Sequence, residues 1–272
     1  MPSQGPLGML FAGAITGVLF TTSVAAQGKD DELFDRFNLA LEGSLVKLST
    51  TIRLDSKTLG IGTKLDFESD GGLADSEVVG SGSFEWQFKR RHGLRGWWQR
   101  VDRDESTQIL EEIQFGDTVF PIDTLVTFAF DEEEYGLGYL YYFTRKPHLA
   151  LGAGGGLRTL KIGAGLSSTG GGLSDDGDFT GPLPFGTFQL RWRFDPRWRL
   201  VSEFGIFAIE IGDYSGSQYL LDGYVEYLAW KHLSFGAGWR GGYVDVEVDT
   251  SSFSGKAEID SSALRGYARV RF

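Results

Sequence analysis

The chain has 272 residues, a formal net charge of −11, 39 glycines, 14% aromatic residues and no cysteine. The acidic balance argues against nucleic acid as a partner, because binding DNA or RNA needs a basic face. The lack of cysteine excludes disulfides, thiolate metal sites and thiol nucleophiles. A disordered chain would lack aromatic residues, so the composition favours a folded, strand-rich protein.

An uncharged apolar run occupies residues 7–20, and the small residues Val24 and Ala26 follow it. The run is too short to cross a bilayer comfortably. Val24 and Ala26 fit the small-residue positions that precede a cleavage site. We therefore predict a signal peptide at residues 1–26 and an exported protein. Residues 27–37 are rich in charge and are predicted to form a short periplasmic N-terminal lead.

From residue 38 to the end, polar and apolar residues alternate repeatedly and no helical period is found. Such alternation predicts β-strands, because successive side chains of a strand point to opposite faces. The predicted strands span residues 39–54, 78–90, 94–104, 124–145, 148–164, 184–194, 197–211, 217–230, 232–248 and 261–272. Two of them are ambiguous in sequence, since 197–211 is apolar on both faces and 94–104 places Arg100 on its lipid side.

Short and long connections alternate between these strands. The short turns are residues 89–93, 144–148, 195–197 and 230–232. The long connections, rich in Gly, Ser and acidic residues, are 55–77, 105–123, 166–182 and 249–260. This asymmetry is typical of an outer-membrane barrel with short periplasmic turns and long extracellular loops.

We predict an all-β fold, a closed antiparallel transmembrane β-barrel of about ten strands over residues 38–272. Eight strands are expected instead if one pair is misassigned. Twelve are expected if residues 58–68 and 109–116 also cross the membrane, although their charge argues against it.

The last ten residues support this fold most clearly. Leu264, Gly266, Ala268, Val270 and Phe272 make one small or apolar face, and Arg265, Tyr267, Arg269 and Arg271 make the other. A water-soluble sandwich rarely buries three arginines on one strand, because buried charges are costly unless paired. A membrane barrel is apolar outside and polar inside. An outward Phe272 at the C-terminus also resembles the sorting signal of bacterial outer-membrane barrels.

Charged residues of both signs fall on the predicted inward faces. They are Glu42, Glu85, Arg158, Arg191, Arg193, Glu203, Asp222, Glu226, Arg240, Arg265, Arg269 and Arg271. In a narrow barrel these side chains can fill the lumen as paired charges. Alternatively, they line a water-filled path whose arginine-rich wall selects anions.

Aromatic residues gather near the short turns, where a membrane surface is expected. They are Phe88, Phe143, Trp192, Phe194, Trp198, Trp230 and Phe272. Tyr135, Phe204, Tyr219 and Tyr243 lie about a membrane thickness away along the strands. Aromatic side chains with a polar edge prefer the membrane interface.

The candidate catalytic and metal-binding residues are few. The three histidines, His92, His148 and His232, all fall at predicted short turns, so none can serve as a base at the opposite rim. We therefore predict that the protein is not an enzyme and needs no cofactor. The acidic run Asp131, Glu132, Glu133 and Glu134 is a weak candidate for divalent cations, against the simpler interpretation of a solvated face.

Several stretches resemble a group of proteobacterial outer-membrane β-barrel proteins of unassigned function. They are Thr51-Ile-Arg-Leu-Asp-Ser56, Gly62-Thr-Lys-Leu-Asp-Phe-Glu68, residues 113–117 with 120–124, and Phe130-Asp131 with Tyr135. The resemblance extends over most of residues 37–272. It implies an exported barrel and transfers no catalytic residue.

The expected location is the bacterial outer membrane, integral, after signal-peptide cleavage. The expected role is structural or in surface interaction, with a possible place in an envelope assembly. The alternatives are a narrow channel for small, anionic solutes and, third, a rim enzyme without histidine. Expected partners are outer-membrane lipid and lipopolysaccharide, the barrel assembly machinery during insertion and a protein of an envelope complex.

Overall fold

A computed structural model describes residues 33–170, 172–250 and 253–272. The predicted signal peptide, and the lead as far as residue 32, lie outside the described residues. The strands are β1 (Phe37–Ser56), β2 (Leu65–Asp66), β3 (Ser76–Lys89), β4 (His92–Gln108), β5 (Ile113–Phe115), β6 (Thr118–Phe120), β7 (Leu125–Arg145), β8 (Leu149–Ser168), β9 (Ser174–Asp195), β10 (Trp198–Ile211), β11 (Tyr214–Trp230), β12 (Leu233–Asp249) and β13 (Phe253–Arg271). Among the described residues, no helix is long and apolar enough to cross a membrane.

Ten long antiparallel strands form a closed ring. Their order is β1-β3-β4-β7-β8-β9-β10-β11-β12-β13, and β13 returns to β1 along a register that runs from Asn38–Arg271 to Ser56–Phe253. The prediction of a closed ten-stranded barrel is confirmed. The twelve-strand alternative is wrong, because β2 adds only two residues beside β1, and β5 and β6 form a separate small hairpin.

Two connections predicted as long loops are shorter than expected. β8 continues to Ser168 and β9 begins at Ser174, so most of 166–182 is strand. Likewise, β13 begins at Phe253, within the predicted connection 249–260. These segments are acidic and polar on their outward faces, which obscured the alternation expected of a lipid-facing strand.

The apolar residues change sides part of the way along several strands. In β1, Leu39, Leu41 and Leu45 are exposed on the outside, whereas Leu48 and Leu54 are buried inside. β7 shows the same change: Tyr139, Tyr141 and Phe143 face outward, and Val126, Phe128 and Phe130 face inward. The half of the barrel nearest the short turns is therefore built for lipid, and the half nearest the long loops resembles a water-soluble protein.

The strand pairing explains the apolar interior of the long-loop half. Pairing of β3 with β4 ends at Ser81–Gln99, and pairing of β9 with β10 ends at Gly186–Ile206. Pro182 and Pro184 lie in the part of β9 that has no partner on β10, which suits residues without an N–H donor. Above these two seams, β4, β7, β8 and β9 form one sheet and the remaining long strands form the other.

The two sheets pack face to face over a continuous apolar cluster. Phe128 and Phe67 are fully buried and meet edge to face at 5.5 Å, and Phe130 lies 6.5 Å from Phe67. Residues of both sheets and of the loops contribute to this cluster. The interior of the long-loop half is therefore mainly a sandwich-like apolar core, although Arg103 is buried there and pairs with Glu68 at 2.7 Å.

Candidate functional site

The interior of the short-turn half is filled by ion pairs, and Glu226 lies at the centre of one group. Its carboxylate accepts hydrogen bonds from Arg199 Nε at 2.6 Å and Arg269 Nη1 at 2.9 Å, as well as from Ser234. Arg199, Glu226 and Ser234 are all fully buried. Tyr267 packs on the same wall, where its ring lies so close to Gly236 that a Cβ there would clash at 2.2 Å.

A second group lies nearer the middle of the barrel. Arg265 binds Glu42 at 2.9 Å and Asp222 at 2.6 Å, and Arg240 binds the other oxygen of Asp222 at 3.1 Å. Charged pairs that are buried from water need this kind of mutual satisfaction to be stable.

A third group crosses the lumen. Arg191 Nη2 donates to both oxygens of Glu85 at 2.8 Å, and its Nε donates to Gln189 at 2.8 Å. Gln189 also accepts from the hydroxyl of Tyr142 at 2.7 Å. Arg95 pairs with Glu203 beside this group. Arg191 of β9 and Glu85 of β3 thus meet across the interior from separate walls of the barrel.

The residues just before β1 close the short-turn mouth. Leu33 and Phe34 are buried, and Arg199 Nη1 donates to the carbonyl of Leu33 at 3.1 Å. Asp35 accepts from Arg199 Nη2 at 2.9 Å and from Arg271 Nε at 2.8 Å. Burial by itself would raise the pKa of Asp35, but the two arginines outweigh it and lower that pKa to about 2. This end of the predicted periplasmic lead thus lies inside the barrel.

Ion pairs inside the barrel hold Glu42, Glu85, Arg158, Arg191, Glu203, Asp222, Glu226, Arg240, Arg265, Arg269 and Arg271. Arg193, also predicted to face the lumen, donates to the backbone carbonyls of Asp195 and Pro196 at a short turn. Sequence reasoning missed four partners, Asp35, Arg95, Glu134 and Arg199. Arg95 and Arg199 lie on the two strands with ambiguous faces, and their burial identifies the inward side of each.

The predicted interface aromatics all lie on the outer surface near the short turns. Their exposed fractions range from 38% for Phe88 to 65% for Trp230, with Phe143, Trp192, Phe194, Trp198 and Phe272 between. The rings of Phe272 and Phe37 are tilted relative to each other with centroids 6.2 Å apart, and the carbonyl of Phe272 accepts from the backbone N–H of Arg36. The C-terminal residue is therefore fixed at the seam where the barrel closes.

The histidines lie at the short-turn end, away from the long loops. His92 Nδ1 is 2.6 Å from the hydroxyl of Tyr139, and His232 Nδ1 is 2.9 Å from the carbonyl of Arg271. His148 is exposed between β7 and β8.

The acidic run of β7 is divided between the two faces of the strand. Glu132 and Glu134 point inward, whereas Asp131 and Glu133 point outward, where Glu133 binds Lys161 at 3.1 Å. In the part of the chain that the structure describes, no group of three metal-ligating side chains is brought together.

A cavity of about 200 Å³ remains between the ion pairs and the apolar core. Arg158 reaches it from β8 and pairs with Glu134 at 3.5 Å, and Trp97 Nε1 donates to the same carboxylate at 2.5 Å. The cavity is thus bounded by charge on the short-turn side and by apolar residues such as Leu48, Val101 and Ile259 on the other.

Comparison with known proteins defines the class of fold. The outer membrane protease OmpT of Escherichia coli aligns with a TM-score of 0.55 and 10% identity, covering 87% of this chain and 96% of that chain. Ail of Yersinia pestis (TM-score 0.33, 8% identity, 85% and 99% coverage) and the toluene transporter TodX of Pseudomonas putida (TM-score 0.35, 12% identity, 88% and 91% coverage) are more distant. No protein-family model and no curated protein matches the sequence. The chain has the fold of an outer-membrane β-barrel.

Proposed function

We propose that this protein is a closed outer-membrane barrel whose role is to present its long loops to a partner at the cell surface. The supporting observation is that apolar side chains are exposed at the tips of ordered loops. Leu59, Ile61, Leu110 and Ile122, here called the loop-tip patch, are 51%, 77%, 78% and 58% exposed. Large apolar residues grouped away from the lipid-facing surface are typical of interaction sites.

Backbone hydrogen bonds hold the loop-tip patch in place. The N–H of Ile109 donates to the carbonyl of Thr124 at 3.0 Å, and the carbonyl of Ile109 accepts from the N–H of Asp123 at 3.0 Å. These two bonds bring Leu110 and Ile122 to the same end of one loop. Asp123 has a φ of 65°, a conformation that aspartate tolerates better than most residues. Such a fixed arrangement lowers the entropy lost on binding.

The charges around the patch indicate the chemistry of the partner. Glu111, Glu112, Asp117 and Asp123 are exposed beside the apolar tips. A partner with an apolar centre and basic surroundings would complement this surface. The proposal assigns no catalytic step, and the location of the three histidines at the short-turn end agrees with it.

The filled lumen favours this role over the alternative of a channel. Fully buried side chains occupy the interior at both ends of the cavity: Arg199, Glu226 and Ser234 on one side and Phe67, Phe120 and Phe128 on the other. A conducting path needs water along its whole length, which these groups displace.

The proposal is tested by photocrosslinking from the loop tips in intact cells and by conductance in planar bilayers. A photoreactive residue at Leu110 should give a defined crosslinked species that disappears when Ile61 and Ile122 are changed to Ser. The same probe at Lys161, on the outward wall, is the control. Silent bilayers are expected. Steady conductance that changes with Arg240→Glu, or no crosslink dependent on the patch, would refute the proposal.

A further inference from the structure

Part of the barrel wall has no hydrogen bonds between the neighbouring strands β3 and β4, and this part is here called the β3–β4 seam. Residues 76–80 of β3 pair with β1 alone, and residues 100–108 of β4 pair with β7 alone. A cleft of about 550 Å³ lies on the outer surface at this point. Its presence follows from the pairing, since strands that are not hydrogen-bonded to each other can separate.

The cleft lies where the lipid-facing surface ends. Leu41, Val78 and Trp98 line it and are 72%, 75% and 41% exposed. Arg100 and Asp102 line its other side and pair with each other at 2.8 Å. The change from apolar to charged lining places the cleft at the level of the lipid headgroups.

The cleft and the interior cavity share part of their lining. Glu42, Val79, Ser81, Trp98 and Val101 border both. At the seam, these five residues alone separate the interior cavity from the cleft on the outer surface.

Glu132 differs from the other acidic residues that line the cavity. Among the acidic residues that line the cavity, Glu42, Glu85, Glu134, Glu203 and Asp222 each pair with an arginine. Glu132 is half-buried and forms no ion pair with a described residue, and it lies one strand from the seam, opposite Val101 in the β4–β7 register.

The cavity also holds unused donors. Arg158 is 6% exposed, and its Nε and Nη2 have no hydrogen-bond partner within the described residues. Its charge is already balanced by Glu134, so these donors need a neutral acceptor such as water. Glu132 is left without an ion pair among the described residues, and a positively charged occupant would pair with its ionised form.

We propose that the cavity is a binding site for a cationic amphiphile, an amine with an apolar chain, that enters from the outer leaflet through the β3–β4 seam. The ammonium group pairs with Glu132, and the chain lies against Val79 and Val101 and extends into the cleft. An apolar cavity of about 150 Å³ accepts benzene, so 200 Å³ holds the head group and the first few carbons. This proposal is independent of the loop-tip patch.

The test uses decylamine labelled with ¹³C at carbon 1 and the full barrel in neutral phosphatidylcholine nanodiscs, with empty nanodiscs as background. Saturable binding is expected for the wild type. Glu132→Gln should weaken it at least tenfold, whereas Glu133→Gln, one residue away on the outward face, should leave it unchanged. Decanol, which has the same chain without the charge, should bind equally to the wild type and to Glu132→Gln.

The route is tested with Val79→Trp, which fills the inner side of the seam and should slow association at least tenfold. Val225→Trp, on the lipid-facing surface of β11, is the control. Glu132→Asp, which keeps the charge, should retain binding and gives a second readout if the Gln variant does not fold. Binding no greater than to empty nanodiscs, an equal loss in the two Gln variants, tighter binding of decanoate, or unchanged association in Val79→Trp would overturn the proposal.

Discussion

Glu226→Gln should be among the most destabilising conservative changes in this barrel. The carboxylate is fully buried and balances Arg199 and Arg269 at 2.6 and 2.9 Å. The amide removes the charge and turns one acceptor into a donor that faces these guanidinium groups. Removing one partner from a buried ion pair costs about 3–5 kcal/mol. Since each 1.4 kcal/mol is a factor of ten, the folding equilibrium constant should fall by about two to three and a half decades.

The assay is urea unfolding in lipid vesicles, followed by the different migration of folded and unfolded barrel in an unheated gel. Lys57→Gln is the matched control, because its pair with Asp249 at 2.6 Å has side chains 42% and 68% exposed. Exposed ion pairs contribute little to stability, so Lys57→Gln should unfold at the same urea concentration as the wild type. If Glu226→Gln also unfolds with the wild type, the interior is hydrated and the description of a filled lumen is wrong.

Three further predictions follow from the same geometry. Leu137→Arg, at an outward position that is 55% exposed within the lipid-facing surface, should lower the free energy of unfolding in vesicles by about 2–4 kcal/mol, and Asp260→Arg, on the polar part of β13, should not. Phe128→Ala should lower the stability of the long-loop half by about 3–5 kcal/mol, measured as faster proteolysis within residues 57–75, whereas Phe88→Ala at the lipid surface should leave that rate unchanged. Asp35, whose pKa falls from 3.8 to about 2 on folding, should add to the free energy of unfolding above pH 4. That contribution should be lost as the pH falls from about 4 to about 2. It should amount to roughly 2 kcal/mol, measured as the difference in unfolding free energy between the wild type and Asp35→Asn, and a difference that disappears near pH 6 would contradict the buried Asp35 pair.

The alternation of side chains and the positions of the short turns were sufficient to predict the barrel. Each lipid-facing strand must repeat every two residues, and β13 shows this period without interruption. The arginines of β13 predicted a charged interior, because arginine in a strand has few other places to lie in a membrane, and Arg265 and Arg269 are buried in ion pairs.

Other features depend on contacts that a local pattern does not contain. Asp35 and Leu33 precede the first strand, and only the position of Arg199 across the barrel explains why they are buried. The β3–β4 seam follows from the register, although Pro182 and Pro184 were a readable sign of the second seam. The switch of apolar residues from Leu45 outside to Leu48 inside was also present in the sequence and marks the edge of the membrane.

Spin labels placed one at a time at residues 264–270 would show directly whether β13 separates lipid from a packed interior, and the absence of native cysteine makes each labelled site unique. Labels at even positions should collide with dissolved oxygen in the lipid and be protected from a water-soluble nickel complex. Labels at Arg265, Tyr267 and Arg269 should be shielded from both, because the interior there is packed. Free access of the nickel complex to the odd positions, or accessibility without a two-residue period, would contradict a closed barrel with a filled, ion-paired interior.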